Sequence, residues 1–252
     1  MSFASTSDPD LPLGGSEFLE SLRQAFARLP AAGSSGGFEP LSVTVAISRE
    51  AGSRGGTIGR RAGRKLGWQV YHQELLEYLA QERHLGRELF AALDDPAAAW
   101  VEERLSQVPA ASASSQQAPV RDLARIILAI GARGEAIIIG RGAGCLLPAD
   151  STLHVRIVAP FEDRVAYLSQ LERLTREQAA EQVRLRDAER AAFVAEHFHR
   201  QAGEVHQYDL VLNSSLLGED LSAELIAQAA RGKIALRSRN QGMPRPAVPE
   251  MV

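Results

Sequence analysis

The sequence is poor in cysteine, lysine and aromatic residues, and it has no long apolar run. Cys145 is its single cysteine, so no disulfide can close within the chain, and a reducing compartment is expected. No stretch approaches the roughly 18–20 apolar residues that a membrane span requires. Asp8 and Asp10 stand near the start with no early lysine or arginine, which is the wrong opening for a signal peptide. These features together predict a cytoplasmic protein without membrane contact. The net charge of −3 leaves no overall basic surface for gripping nucleic acid. Lysine occurs only at Lys65 and Lys233, so arginine carries nearly all the positive charge. A guanidinium is permanently charged and its planar fork matches phosphate oxygens, although on composition alone a general bias toward arginine and alanine is the better explanation of the pattern.

What remains is ordinary globular material, 45% hydrophobic and 23% charged over 252 residues, enough for one sizeable domain with tails. Residues 1–38 read as a flexible segment, with a short amphipathic helix through Phe18, Leu22, Phe26 and Leu29. Residues 238–252 hold three prolines and no periodicity, and read as a disordered tail. Between them, over 39–237, strand and helix patterns alternate. Short β-type runs fall at Val43–Ile47, Trp68–Tyr71, Ala136–Ile139, Leu153–Val158 and Leu210–Leu212. Helical patterns lie between them, including about Glu162–Leu171, Thr175–Phe198 and Asp220–Ala230, while 107–118 reads as a loop. Alternation of this kind predicts right-handed βαβ units and a parallel sheet.

The segment with most chemical content is Ile47-Ser48-Arg49-Glu50-Ala51-Gly52-Ser53-Arg54-Gly55-Gly56-Thr57. A buried strand enters a glycine-rich turn and then a helix, which aims backbone N–H groups and a helix N-terminus at one point. This is an anion site in form, and a plain structural turn is the competing reading. The usual G-x-x-x-x-G-K-[ST] loop places a lysine on the phosphates and a hydroxyl on Mg²⁺. Here Gly55 and Gly56 occupy those two positions, and Lys65 lies about two helical turns away. Arg54 and Thr57 are the nearest replacements.

The run just quoted, with Ile58-Gly59 after it, resembles the opening of the cytidylate kinase-like family, which also tends to lack the loop lysine. Three later segments match in order: Ala136-Ile-Ile-Ile-Gly140-Arg141-Gly142, Val158-Ala-Pro-Phe-Glu-Asp-Arg164, and Arg186-Asp187 with Glu189-Arg190 followed by Tyr208-Asp-Leu-Val-Leu-Asn-Ser-Ser. The resemblance covers about Leu41 to Ala230. It implies an α/β P-loop NTPase-type parallel sheet with flanking helices and an arginine-rich helical lid. It also implies ATP-dependent phosphoryl transfer to CMP- or dCMP-like acceptors, with Mg²⁺ accompanying the ATP. Carried over by position, Gly52, Ser53, Arg54, Gly55, Gly56 and Thr57 hold the donor phosphates. Arg141 meets the acceptor phosphate, Arg186 and Arg190 come from the lid, and Asp187 orients them; Arg164 and Arg184 are secondary candidates. No protein-held metal is expected. The chain departs from the family at Tyr71-His72-Gln73-Glu74-Leu75, where Tyr-Asp-Lys-Glu-Leu is usual, and at Arg54, Gly56 and Thr57, where Gly, Arg and Glu are common.

Other readings stand beside this one. A regulatory protein that binds nucleotide without turnover fits the missing lysine. A dinucleotide-binding oxidoreductase lacks a clean G-x-G-x-x-G here. The arginines of 184–190 also suit a solvated helix face paired with Glu181, Asp187 and Glu189. Thr175 with Gln178 reads as a capping box, His197, His199 and His206 as surface residues, and Cys145 as a buried thiol.

Overall fold

The computed structural model describes residues 38–40, 42–107 and 117–241; the expected Phe18–Leu29 helix and most of the 107–118 loop lie outside them. Five strands, β1 (Thr44–Arg49), β2 (Gln69–Tyr71), β3 (Ala136–Ile139), β4 (Thr152–Val158) and β5 (Leu210–Asn213), form one parallel sheet in the order β2-β3-β1-β4-β5. The helices are α1 (Gly55–Leu66), α2 (Gln73–Gln81), α3 (Arg83–Ala91), α4 (Asp95–Ser106), α5 (Gln117–Arg133), α6 (Ala143–Leu146), α7 (Phe161–Glu172), α8 (Arg176–Phe198) and α9 (Ser214–Gln241).

The strands are apolar throughout because both faces of the sheet are covered. Their period of two then divides the side chains between two cores. Val45, Ile47, Ile137, Ile139, Val155 and Ile157 face α1 and α9, meeting Ile58, Ala62, Ile226 and Ala230. Ala46 and Ile138 face the opposite way, toward Leu76 and Leu79 of α2, Val101 and Leu105 of α4, and Ile127 and Ile130 of α5. β1 is central, with β3 and β4 on its two sides, so its C-terminal end opens at the switch point of a doubly wound sheet, where ligands characteristically bind.

Local signals set several boundaries. Asp94 caps α4 by accepting from Ala97 N–H at 2.9 Å, and Thr175 with Gln178 forms the expected reciprocal capping box of α8. Two boundaries differ from expectation. The helical region after β2 is broken at Glu82 into α2 and α3. The last helix begins at Ser214, is interrupted at Gly218 (φ 70°), and continues to Gln241 rather than ending near Ala230. The extension is held by Ile234, which packs on the core, and by Arg237, which donates to the carbonyls of Ser42 and Pro40 at 3.0 Å each. Lys65 is absorbed in the same layer, pairing with Glu224 at 2.9 Å, while Arg61 pairs with Glu219 at 2.9 Å.

Helices α7 and α8 form a hairpin with its own small core of Val165, Leu168, Ala179 and Val183, joined by Ala51 from the turn after β1. The arginine-rich helix is therefore docked onto that turn.

On β4, His154 is 8% exposed and its Nε2 is buried without a partner. Burial lowers its pKa, opposed by Asp209, whose carboxylate accepts from the backbone N–H of His154 at 2.8 Å. The fold thus favours the neutral ring. The corresponding stability is present above the unfolded-state pKa, about 6.5, and is lost as pH falls through the lower folded-state value. Urea midpoints measured at pH 7.5 and 5.5 should drop more for the wild type than for His154→Gln; equal drops would show that another group governs acid sensitivity.

Candidate active site at the end of the central strand

The chain leaves β1 through Glu50, Ala51, Gly52 and Ser53, and re-enters regular structure at Gly55. Gly52 has φ 77°, and a Cβ there would lie 2.5 Å from the carbonyl oxygen of Arg164, so only glycine permits this close crossing. Arg54 precedes α1 with φ 60°, a left-handed conformation uncommon for a side chain of its size. No side chain caps α1, and its first turn holds no acidic residue. The N–H groups and the positive end of the helix dipole are therefore left to an anion.

Asp187 holds this turn from α8. One carboxylate oxygen accepts from Ala51 N–H at 2.7 Å and the other from Arg164 NH1 at 2.5 Å. Arg164 also donates from Nε to Ala159 O at 3.0 Å and from NH1 to Ala51 O at 3.2 Å. Glu50 closes the same network through Ala159 N–H at 3.1 Å.

Three guanidiniums gather above the turn. Arg49 is the last residue of β1, Arg141 follows β3, and Arg190 lies on α8 and donates to Arg49 O at 3.4 Å. Arg141 is left-handed, with φ 52°. It pairs with Glu77 of α2, lies 5.2 Å from the Phe193 ring centroid, and keeps a buried Nε without a partner. Burial is the main cause lowering the pKa of all three, and the neighbouring arginines lower those of Arg49 and Arg190 further. Glu74 supplies longer-range opposite charge, and its own carboxyl is held low chiefly by His72, whose Nδ1 lies 2.9 Å away. Strained backbone together with crowded like charge is characteristic of functional sites.

The expected site residues divide accordingly. Gly52, Arg54, Gly55, Gly56 and Thr57 line the turn, and Arg141, Asp187 and Arg190 lie beside it. Ser53 turns inward instead, with its N–H and hydroxyl on Glu50 O and the hydroxyl also 3.3 Å from Ile157 O, because it is fully buried under the turn. Arg54 rests 4.9 Å over the Tyr167 ring, and Arg184 lies 4.8 Å over Phe161. Arg186 is engaged by Glu172 through two bonds of 2.7 and 2.9 Å, tying α8 to α7. Arg164 is a structural tie. Arg49 lies inside the opening run but is not among the expected site residues; its place as the final residue of the central strand is the available signal.

A model of the cytidylate kinase-like family matches residues 44–216. The chain belongs to that family. No curated protein is a significant match. Among solved structures, an uncharacterized protein from Eubacterium ventriosum has a TM-score of 0.53 at 16% identity, covering 75% of this chain and 99% of that one. A shikimate kinase from Bacteroides thetaiotaomicron has a TM-score of 0.42 at 14% identity, covering 75% and 97%. The family match gives this chain a kinase-type fold, and it contains β1, the turn, Arg141 and α8. Among the described residues no cluster of three metal-ligating side chains occurs, and no helix is long and apolar enough to cross a membrane.

Asp187→Ala should lower stability by about 1–3 kcal/mol, since it leaves the Ala51 N–H and Arg164 without their acceptor. Arg186→Ala, which removes a partly exposed pair, should cost no more than about 1 kcal/mol. Equilibrium urea unfolding of both variants checks the order; a larger loss for Arg186→Ala would contradict the assignment of Asp187 as the anchor.

Proposed function

We propose that the protein is a nucleoside monophosphate kinase that transfers the terminal phosphoryl group of ATP to a CMP- or dCMP-like acceptor. The observation carrying this reading is the convergence of an uncapped helix N-terminus and partly buried arginines at the C-terminal end of β1. An anion suits this place: the amides at the start of α1 lack a side-chain cap, and Arg141 Nε is buried and unpaired. Bound ATP would supply the phosphoryl group. The amides from Arg54 to Thr57 would hold the donor phosphates, Arg141 would take the acceptor phosphate, and Arg190 would face the charge between them. Asp187 would keep Arg190 and the turn in register, its Oδ1 lying 3.9 Å from Arg190 NH1. Phosphoryl transfer through a loose transition state asks for such positioning and charge neutralisation more than for a protein nucleophile.

Magnesium bound with a nucleotide retains several waters and needs only one or two protein ligands. Thr57, in the first turn of α1, would be the nearest hydroxyl of the loop to serve. The single half-buried Cys145, with its thiol pKa raised chiefly by burial, fits a cytoplasmic setting. Arg186 would join the site only by leaving Glu172, as in closure of a lid. A non-catalytic nucleotide-binding role is the second reading, favoured by the engagement of Arg186 with Glu172 and of Arg54 with Tyr167.

Phosphoryl transfer from ATP to a panel of nucleoside monophosphates tests this directly, with CMP and dCMP expected to be the best acceptors. Arg141→Ala should lower kcat/KM by about 2–4 kcal/mol in the barrier with the fold retained. Binding of ATP without turnover on any monophosphate would establish the regulatory reading instead.

A further inference from the structure

The loop after β1 has no lysine, and neither cation considered in its place is available. Lys65 is paired with Glu224 and Arg54 is laid over Tyr167. Arg49 has the opposite character. A Cβ built on Gly55 would lie 2.6 Å from Arg49 Cβ, and one built on Gly140 would lie 2.0 Å from Arg49 NH1. The side chain therefore runs from the end of β1 across the start of α1 to the end of β3, and two bare glycine positions leave it that path. Among the described residues its guanidinium forms no hydrogen bond or ion pair; Arg190 and Arg141 are its like-charged neighbours, and Glu74 offers opposite charge only at longer range. A structural arginine in such surroundings ordinarily finds a carboxylate, as Arg164 does with Asp187 and Arg186 with Glu172.

We propose that Arg49 supplies the positive charge that the phosphate loop lacks, its guanidinium joining those of Arg141 and Arg190 as a receptor for a phosphate dianion. The inference deepens the kinase reading, on which it rests for the origin of the phosphate but not for the anion site itself. The donor's terminal phosphate and the acceptor's phosphate share this chemistry. Burial and the adjacent arginines lower the Arg49 pKa to about 9, so the charged form is held at a cost that a bound dianion relieves. The five donors of a guanidinium also suit a phosphate approached from the side, where a lysine would present a single point.

The test uses the full chain as wild type, Arg49→Lys and Arg49→Met, with thermal melts and calorimetric titration of inorganic phosphate, ATP and CMP. Without ligand, Arg49→Met should melt at or above the wild-type temperature, because a half-buried charge crowded against those of Arg190 and Arg141 has been removed. Inorganic phosphate should raise the melting temperature of the wild type and leave that of Arg49→Met unchanged. Affinity for the nucleotide whose phosphate is addressed should fall at least about tenfold in Arg49→Met, as for loss of a charge-assisted hydrogen bond, with partial recovery in Arg49→Lys. A loss confined to ATP identifies the donor phosphate, and a loss for CMP identifies the acceptor; either supports the receptor. Arg49→Met that melts well below wild type, or that binds phosphate and both nucleotides as wild type does, would overturn it and leave Arg49 as a structural residue. Phosphate stabilisation through Arg49 in a protein that binds neither nucleotide would sink the kinase reading while sustaining the anion site.

Discussion

The geometry of the candidate site depends on one carboxylate. Asp187 reaches from α8 to the Ala51 N–H and to Arg164, so a single side chain ties the helical hairpin, the turn after β1 and the start of α7 together. Its partners are otherwise hard to satisfy. The Ala51 amide lies in a turn with no ladder neighbour, and the Arg164 guanidinium is largely removed from water, so each needs the acceptor to avoid a desolvation penalty. Burial of Ala51 against Val165 and Val183 adds an apolar contact to the same joint. Because Arg190 is one turn along α8 from Asp187, anchoring the carboxylate also sets where that guanidinium stands.

Around this joint the protein holds more positive charge than it neutralises. Arg141 has Glu77 and Arg186 has Glu172, whereas Arg49 and Arg190 face each other with more distant compensation from Glu74 and Asp187. Like charges kept together in this way are unfavourable for the fold alone, and they persist because the sheet, α1 and α8 over-determine their positions. The same crowding makes the site receptive to a polyanion. Charge at a strand end is also better fixed in position than charge on a turn.

The family relationship and the site support each other at different levels. The match over 44–216 spans the sheet, the glycine turn and the arginine after β3. The departures at Tyr71–Leu75 and around Arg54 have local explanations. His72 stands at the N-cap position of α2 with its Nδ1 2.9 Å from Glu74, and Arg54 finds an aromatic face on Tyr167. His72 and Arg54 have each acquired a structural partner, and neither side chain is directed by those contacts toward a ligand.

The sequence by itself determined the parallel sheet, the glycine turn and the capping box of α8, because each is a local pattern: apolar runs of strand length, positive-φ residues between strand and helix, and a Thr–Gln pair three residues apart. It also marked Arg141, Asp187 and Arg190 through their order in the chain. Only the tertiary structure decided what each arginine does. Arg164, Arg184, Arg186 and Arg190 lie within one helical hairpin and share one chemistry, yet one ties the turn, one stacks on Phe161, one pairs with Glu172 and one approaches the strand end. Side-chain partners of this kind come from residues far apart in sequence, such as Ala51 with Asp187 or Arg49 with Gly140, and no local period encodes them. Arg49 is the clearest case: in the sequence it is the last residue of a strand, and only the assembled sheet places it unpaired among other cations at the mouth of the site.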